Sequence, residues 1–483
     1  MQHPRALALA VILAFTGTAV ADDTISTTTA AEHEQDDQDG RRAMLFSVEL
    51  GTLLGLSAGW YWLTADDQMV DWTYPSWRTK LTSFDAVRFD TNPFAVNAFG
   101  HTAQSVIGYS IARGNGLGML ASSLVNFGVS AAWEYTVEYR EYVSLNDLVV
   151  NTISGPALAE PLYRVGEYFR SGEKTTMNEV FAAIFSPFED IERRVDHRSW
   201  RTSAQPWHRF RLSAGATTAV VPGDQRIDAA VGADLEVASF DRSGARSGTT
   251  PPGGWSRIAG DLRFGADGLT GARVHSRTSY AGYQSRAVYE DGFGRSAFIG
   301  IGTGLTYELS ELGEETDQIA AYHLLGPQLD LHLRRQTLDL RWQNALYGDF
   351  GIVHAHALGA MPPVDPTPPF EDPVAAWNYY YGMGATASTR LLVDYARWNL
   401  DVEANLHQLW SLDHKDADRG QPEGAENLAD GRLFGRAALG YEVIEAGPRL
   451  EGTFDVVGRR GTLGDVDRRT SEQRYGLQLT LQR

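Results

Sequence analysis

The chain has 483 residues, with 42 Lys and Arg against 61 Asp and Glu, and it contains no cysteine. A chain of this length holds two or three domains of about 150 residues, or one small unit beside a large all-β one. The lack of cysteine excludes disulfides, thiolate metal sites and thiol catalysis. The formal net charge of -19 argues against a nucleic-acid-binding protein, because such proteins need a basic surface.

Residues 1–21 have the features of a secretory signal peptide. Arg5 supplies a positive charge, residues 6–15 are apolar, and Ala19-Val20-Ala21 resembles a cleavage site. We therefore expect export from the cytoplasm. Residues 22–42 are polar, acidic and free of aromatic side chains. We expect them to be disordered, because such a segment buries too little apolar surface to offset its conformational entropy.

A helical domain is predicted over residues 43–172, followed by a linker over 173–205. Residues 44–63 and 119–133 are apolar enough to be considered as membrane spans. Glu49 lies in the first of these stretches, and a charge at the bilayer centre costs about 3 kcal/mol or more. We therefore favour helices that are buried in protein over helices that cross a membrane.

From about Arg209 onward, apolar and polar residues alternate with a period of two, which is typical of β-strands. In the last such segment one face carries Tyr475, Leu477, Leu479 and Leu481, and the other carries Gly476, Gln478, Thr480 and Gln482. About twelve segments of roughly 9–11 residues follow this pattern, a length that suits tilted strands in a bilayer. Some breaks are short, such as Pro222-Gly223-Asp224, and others are long and polar, such as residues 244–254, 311–317 and 461–472.

The fold class predicted from these patterns is α + β, with a helical N-terminal domain followed by a roughly 12-stranded antiparallel outer-membrane-type β-barrel over residues 206–483. A soluble β-sandwich or a lipocalin-like barrel is the alternative, with its apolar face turned inward. Asp, Glu and Arg on the polar faces favour a wet lumen and therefore the membrane barrel. One departure from the usual pattern is the chain end at Arg483, where outer-membrane barrels commonly carry an aromatic residue.

The densest polar pattern lies on the predicted helices between residues 89 and 170. Four titratable residues are candidates for catalysis, namely His101, Glu134, Glu138 and Asp147. Four further residues are candidates for a supporting polar network, namely Asn97, Ser144, Asn151 and Arg164. Asn97 and His101 share one helix face, and so do Glu134 and Glu138. Ser144 and Asp147 have the spacing of a helix N-cap and its third residue.

Three interpretations of these residues compete. In the favoured one they form a buried polar network that fixes the helix register, since buried polar groups are tolerated when they are paired. In the second, the acids and His101 perform general acid–base chemistry on a lipid or glycan. In the third, His101 with Glu134 and Glu138 binds a divalent Mn, Fe or Zn ion. No HExxH signature is present, so no metal site and no cofactor is assigned.

Three sequence runs in this region resemble a known family. NPFAVNAFGH, WEYTVEYREYVSLNDL and AEPLYR occur in this order and resemble DUF3943, a family of bacterial envelope proteins, over about residues 85–170. The resemblance implies a secreted helical segment and often a β-rich C-terminal part, and it implies no activity. A looser similarity to VanZ-like membrane proteins rests on the order His101, Glu134 or Glu138, Ser144, Asp147, Asn151 and Gly155.

The leading functional hypothesis is a non-enzymatic outer-membrane channel or envelope-organising protein, whose helical domain is periplasmic or plugs the lumen. The first alternative is an envelope enzyme that acts on lipid or glycan through His101, Glu134, Glu138 and Asp147. The second alternative is an inner-membrane helical protein with a periplasmic β domain. Outer-membrane lipids are the expected partners, nucleic acid is not expected, and a divalent metal is a minor alternative.

Overall fold

The computed structural model describes residues 29–64, 76–200, 202–221, 223–238, 247–288, 293–312, 315–360, 378–412, 428–445 and 447–482. These residues form a group of helices and a β-barrel. The predicted signal peptide, residues 1–21, lies outside the described ranges, and so does the start of the acidic segment.

Within the described ranges, eight α-helices precede the barrel, and together with their connections we call them the helical unit. They are α1 (Thr29–Thr64), α2 (Trp77–Thr82), α3 (His101–Gly114), α4 (Met119–Ala132), α5 (Leu145–Ser154), α6 (Glu160–Ser171), α7 (Thr176–Phe185) and α8 (Pro187–Val195). Single π-helical turns lie before α3 (Val96–Gly100), after α4 (Trp133–Val137) and between α5 and α6 (Gly155–Ala159). A short parallel pair, β1 (Val87–Arg88) and β2 (Val143–Ser144), ties the segment before α3 to the segment before α5.

Two expectations about the ends of the helical unit are wrong. Helix α1 begins at Thr29, so disorder over residues 22–42 does not hold from Thr29 onward, because its Ala, Glu, Gln and Arg residues have high helix propensity. The supposed linker, residues 173–205, contains α7 and α8. The side chain of Thr175 caps α7. Ser186 lies between α7 and α8, and its Oγ accepts a hydrogen bond of 2.8 Å from Nη2 of Arg170 on α6.

Helix α1 is not buried in protein, contrary to expectation. One helix in the described chain is long and apolar enough to span a membrane, and it is the Arg42–Thr64 part of α1. Leu56 and Trp60 on this helix are 71% and 73% exposed. Helix α4 is intermediate, since Val125 is buried while Leu124 is exposed. The apolar residues of these two helices therefore lie partly on the outer surface and partly in the core.

The barrel consists of twelve long antiparallel strands and confirms the prediction of a roughly 12-stranded fold. They are β3 (Trp207–Val221), β4 (Asp224–Ala238), β6 (Trp255–Gly265), β7 (Gly268–Val288), β8 (Gly294–Leu312), β9 (Glu315–Arg335), β10 (Leu338–His354), β11 (Tyr379–Tyr395), β12 (Trp398–Ser411), β13 (Ala429–Glu442), β14 (Arg449–Leu463) and β15 (Val466–Gln482). A short strand, β5 (Gly248–Thr250), pairs with β7 outside the ring. Pairing of β3 with β15 closes the barrel.

Alternation along each strand gives the barrel a polar lumen and an apolar outer face, as outer-membrane barrels require. On β15, Glu472 and Arg474 point into the lumen and are buried, while Leu477 and Leu479 point outward and are exposed. This outer face contradicts a soluble sandwich and a soluble periplasmic β domain, both of which would bury their apolar face. The fold is that of an outer-membrane β-barrel.

Several strands are longer than the predicted 9–11 residues, and β7 and β9 each have 21. Residues 311–317 and 461–472 were expected to be long loops, but strand pairing continues to Leu312 with Glu315 in the first range and to Leu463 with Val466 in the second. The strands continue beyond the apolar band, where both faces carry polar residues. A strand segment that carries polar residues on both faces therefore has the sequence pattern of a loop, although its backbone is extended.

Ion pairs fill the lumen and cross it from wall to wall. Asp234 on β4 and Arg390 on β11 belong to strands six places apart in the ring of twelve, yet Arg390 Nη2 lies 2.7 Å from Asp234 Oδ2. Arg257 on β6 likewise reaches Glu403 on β12, at 3.3 Å. Because these partners come from opposite walls, their side chains occupy the cross-section of the lumen.

Apolar side chains form a cluster inside the lumen at each of its two ends. At the end where β3 begins and β15 ends, which we call the terminal end, the cluster consists of Trp207, Ala238, Trp255 and Phe298. At the opposite end, called the loop end, the cluster contains Ile319, Val353, Tyr380, Leu409 and Leu428. The turn His356–Ala360 folds into this end, where the His356 N–H donates to Asp430 Oδ1 over 3.3 Å.

The helical unit lies against the outer wall of the barrel. Tyr322, Tyr379 and Tyr381 alternate with lumen-facing residues and so point outward, where they are buried under Phe94, Ala98 and Val150 of the helical unit. Nearer the terminal end, Val165 and Tyr168 of α6 pack on Phe210, Leu235 and Val237 of β3 and β4. The described helices therefore do not plug the lumen, and their periplasmic location stays a prediction.

A charge placed on the outer face tests whether lipid covers it. Leu477→Arg is expected to lower the free energy of unfolding by about 2–4 kcal/mol, because the outer wall would expose a cation to hydrocarbon. The measurement is urea unfolding in lipid vesicles, followed by the heat-dependent shift on gels. Gln473→Arg is the matched control, since Gln473 is exposed on the same face of β15 beyond the apolar row. Equal losses for the two variants would contradict a lipid-facing position for Leu477.

Candidate functional site

Five titratable residues meet where α3, α4 and α5 approach the β1–β2 pair, and we call them the carboxylate cluster. They are Asp90, His101, Glu134, Glu138 and Asp147. Potential ligand atoms of Asp90, His101 and Asp147 lie within 4.8 Å of one another, and so do those of Glu134, Glu138 and Asp147. Asp147 belongs to both groups and is the centre of the cluster. His101 Nε2 lies 3.1 Å from Asp147 Oδ1.

Local backbone features bring these side chains together. Ser144 caps α5 and accepts a hydrogen bond from the Asp147 N–H at 3.4 Å, as its spacing predicted. The Ser144 N–H in turn donates to Glu134 Oε2 over 2.7 Å. Glu134 lies in a π-helical turn that ends α4, and such turns occur frequently at functional sites. The cap of one helix therefore holds the acid at the end of another.

Asparagine side chains connect the cluster to the barrel wall. Asn146 Nδ2 donates to Asp147 Oδ1 over 2.8 Å, and Asn97 Nδ2 donates to Asp90 Oδ1, also over 2.8 Å. The hydroxyl of Tyr381, on the outer face of β11, donates to the same Asp90 oxygen over 2.7 Å. The wall of the barrel is therefore part of the hydrogen-bond network that holds the cluster.

Acidic groups outnumber basic ones in the cluster. Lys80 Nζ donates to the main-chain oxygens of Glu134 and Glu138, at 3.0 and 2.7 Å, so these two bonds direct its charge at carbonyl groups. Burial lowers the pKa of Lys80, and burial raises the pKa of Glu138 to about 7. Among the described residues, Glu134 Oε1 is buried and has no hydrogen-bond partner.

Six of the residues predicted from sequence converge at this place. They are His101, Glu134, Glu138 and Asp147 with their supporting residues Asn97 and Ser144. Asn151 and Arg164 lie elsewhere. Asn151 Nδ2 donates to Ser130 Oγ over 3.0 Å. Arg164 lies on α6 and pairs with Glu160 of the same helix at 2.8 Å.

Sequence reasoning missed Asp90, Asn146, Lys80 and Tyr381 as members of the site. Asp90 and Asn146 could have been found from the sequence, because Asp90 lies two residues before the run NPFAVNAFGH and Asn146 is the neighbour of Asp147. Tyr381 was not, because 291 residues separate it from Asp90. Lys80 carries a signal only in that lysine is rare in this chain, where it occurs at positions 80, 174 and 415.

A second buried group of charges lies near the terminal end of the barrel. Glu160 accepts from Arg113 Nε and from Arg164 Nε, each at 2.8 Å, and from the Tyr109 hydroxyl at 2.7 Å. A Cβ added to Gly253 would lie 2.2 Å from Glu160 Oε1, so the barrel loop approaches this group as closely as a glycine allows. All its carboxylate oxygens are paired, and it serves to dock α6 on the barrel.

The carboxylate cluster and the helices around it fall within one recognised sequence domain. Residues 86–188 match the model of a domain of unknown function, DUF3943. The match confirms the resemblance seen in the sequence and extends through α7 into α8. All five members of the carboxylate cluster belong to this DUF3943 segment, whereas Lys80 precedes it and Tyr381 lies far beyond it.

Solved structures of two porins and of an outer membrane protein are similar to part of this chain. The NanC porin has 10% sequence identity and a TM-score of 0.26, with 55% of this chain and 98% of that chain covered. The KdgM porin has 8% identity and a TM-score of 0.22, covering 55% and 97%. The outer membrane protein opdK from Pseudomonas aeruginosa has 8% identity and a TM-score of 0.18, covering 57% and 99%. A comparison with curated protein sequences finds no match.

Removing one hydroxyl tests the link between the DUF3943 segment and the barrel wall. Tyr381→Phe is expected to weaken docking of the helical unit by about 1–3 kcal/mol, because Asp90 loses a buried hydrogen bond. Limited proteolysis of the helical unit at increasing urea concentration measures the effect. Tyr395→Phe is the control, since Tyr395 is exposed on the same face of the same strand. Equal protease resistance of wild type and Tyr381→Phe would contradict this role.

Proposed function

We propose that the barrel is a closed membrane anchor and scaffold that holds the helical unit at its outer wall. This is the envelope-organising form of the leading hypothesis. The observation that carries it is the pair Arg390–Asp234, which joins opposite walls of the lumen at 2.7 Å. A solute path along the barrel axis would have to break this contact and pass both apolar end clusters.

Several further ion pairs inside the barrel support a closed lumen. Arg390 also pairs with Asp401, and Arg211 reaches Asp401 at 2.7 Å. Arg273 contributes a further contact of 2.8 Å to Glu403. Removing one partner from a buried ion pair is strongly destabilising, by about 3–5 kcal/mol, because it leaves an uncompensated charge. A network of this kind stabilises one arrangement of the lumen.

The enzyme alternative has less support from the same geometry. Glu134 and Asp147 are 0% and 2% exposed. A lipid or glycan would have to displace packed side chains before it reached either carboxyl group. General acid–base catalysis requires the acid or base within hydrogen-bond reach of the reacting group.

Conductance in planar bilayers tests the scaffold proposal. The wild-type protein is expected to show no steady current, because ion pairs and apolar clusters close the lumen. A variant that lacks residues 22–200 is also expected to show no steady current, because the helical unit lies outside the wall and does not block the lumen.

Replacing cross-lumen arginines is the positive arm of this experiment. Arg257→Ala combined with Arg390→Ala is expected to produce channel openings, since the Arg257–Glu403 and Arg390–Asp234 contacts between directly opposite strands are lost. Arg460→Ala is the matched control, because Arg460 pairs with Asp467 on an exposed hairpin. A steady current through the wild-type barrel would refute the scaffold proposal.

A narrow channel is the second candidate function. It is favoured by a cavity of about 70 Å³ within the lumen, lined by charges of both signs that include Arg211, Asp234, Arg273 and Glu403. Small ions would pass if the surrounding pairs exchanged partners. A steady wild-type current whose ion selectivity changes in Arg390→Ala would support this candidate.

A further inference from the structure

We infer that the carboxylate cluster is a binding site for a divalent transition-metal cation, with Asp147 as the central ligand. The inference does not depend on whether the barrel conducts. It rests on the arrangement of ligand atoms, on the shortage of positive charge around them and on one buried oxygen without a partner.

The arrangement of atoms suits a cation rather than a set of mutual hydrogen bonds. Carboxylate oxygens of Glu134, Glu138 and Asp147 lie within 4.8 Å of one another. Carboxylates at this separation repel one another when they are ionised. A cation between them converts that repulsion into coordination, as in proteins where carboxylates from facing helices bind metal ions.

Neighbouring groups supply only part of the positive charge that the four acids lack. The Lys80 ammonium group makes its hydrogen bonds to main-chain oxygens of Glu134 and Glu138. Hydrogen-bond donors from Asn97, Asn146 and the Ser144 main chain orient the acids without neutralising them. Such donors are the usual outer partners of metal-binding carboxylates.

One buried carboxylate oxygen of the cluster has no hydrogen-bond partner among the described residues. Glu134 is 0% exposed, and in the described part of the chain its Oε1 accepts no hydrogen bond. Its other oxygen, Oε2, is held by the Ser144 N–H at 2.7 Å. The carboxyl group is therefore held through Oε2, while the acceptor capacity of Oε1 stays unused.

The donor set identifies the class of cation. Oxygen ligands alone suit Mg²⁺ and Ca²⁺, whereas imidazole with carboxylates suits Mn²⁺, Fe²⁺ and Zn²⁺. His101 supplies the imidazole, with Nε2 at 3.1 Å from Asp147 Oδ1. Because Asp147 belongs to both groups of potential ligands, it can bridge the two sides of the site.

The first test measures binding of Mn²⁺ and Zn²⁺, each alone, to the full-length protein in detergent after treatment with chelator. At least one ion per chain is expected, with Ca²⁺ bound far more weakly. Glu134→Gln and Asp147→Asn are each expected to weaken Mn²⁺ binding by roughly tenfold or more. Glu167→Gln is the matched control, since Glu167 lies in the helical unit but pairs with Arg164 outside the cluster.

A second measurement keeps the test valid if a variant folds poorly. Without metal, Asp147→Asn is expected to unfold at the same temperature as wild type or higher, because an amide removes repulsion among the acids. With Mn²⁺, only wild type and Glu167→Gln are expected to gain stability. Nitrogen coupling in the electron paramagnetic resonance of bound Mn²⁺ is expected in wild type and absent in His101→Ala.

The inference is overturned if the wild-type protein binds neither Mn²⁺ nor Zn²⁺. It is equally overturned if Glu134→Gln and Asp147→Asn both bind Mn²⁺ as tightly as wild type does. Ca²⁺ binding as tight as Mn²⁺ binding would refute the assignment to transition metals.

Discussion

Closure of the sheet between β3 and β15 is the constraint on which the rest of the structure depends. A membrane contains no water to satisfy free backbone groups, so a sheet that crosses it must have no open edge. Closure gives every strand an inner and an outer face, because successive side chains point in opposite directions. Charged residues on the inner face then lie in a narrow space that has apolar clusters at both ends. They are therefore stabilised mainly by one another, which accounts for pairs that cross the whole lumen.

The outer face meets two different environments. Over much of the wall the outward side chains are exposed and apolar, and lipid is their natural surrounding. The helical unit covers the wall from β7 to β11, and it also covers β3 and β4 near the terminal end. The covered outward side chains between β7 and β11 include Tyr322, Tyr379 and Tyr381. Their hydroxyl groups would be costly to place in hydrocarbon without partners. Asp90, Asn97 and Ala98 provide those partners, so wall and helices each satisfy polar groups of the other.

The same contacts explain how a cluster of buried and half-buried acids can exist. Helix caps, asparagine side chains and one wall tyrosine orient the acids, and Lys80 compensates part of their charge. What they do not provide is enough positive charge for Asp90, Glu134, Glu138 and Asp147 together. The lumen differs from the cluster in this respect, because there each central acid faces an arginine. The imbalance, rather than burial alone, distinguishes the cluster from an ordinary buried polar network.

Local patterns in the sequence suffice to predict the strands, their number and the outer-membrane barrel, because the period of two is a property of neighbouring residues. Helical spacing likewise predicts that Asn97 accompanies His101 and that Glu134 accompanies Glu138, and capping chemistry links Ser144 to Asp147. Sequence cannot reveal that the helices lie outside the wall, since an outward Leu or Tyr has the same pattern whether lipid or a helix covers it. Nor can it reveal that Tyr381 joins Asp90 across 291 residues, or that Arg390 meets Asp234 across the lumen. Those contacts follow from strand order and barrel closure, which bring distant residues together in space.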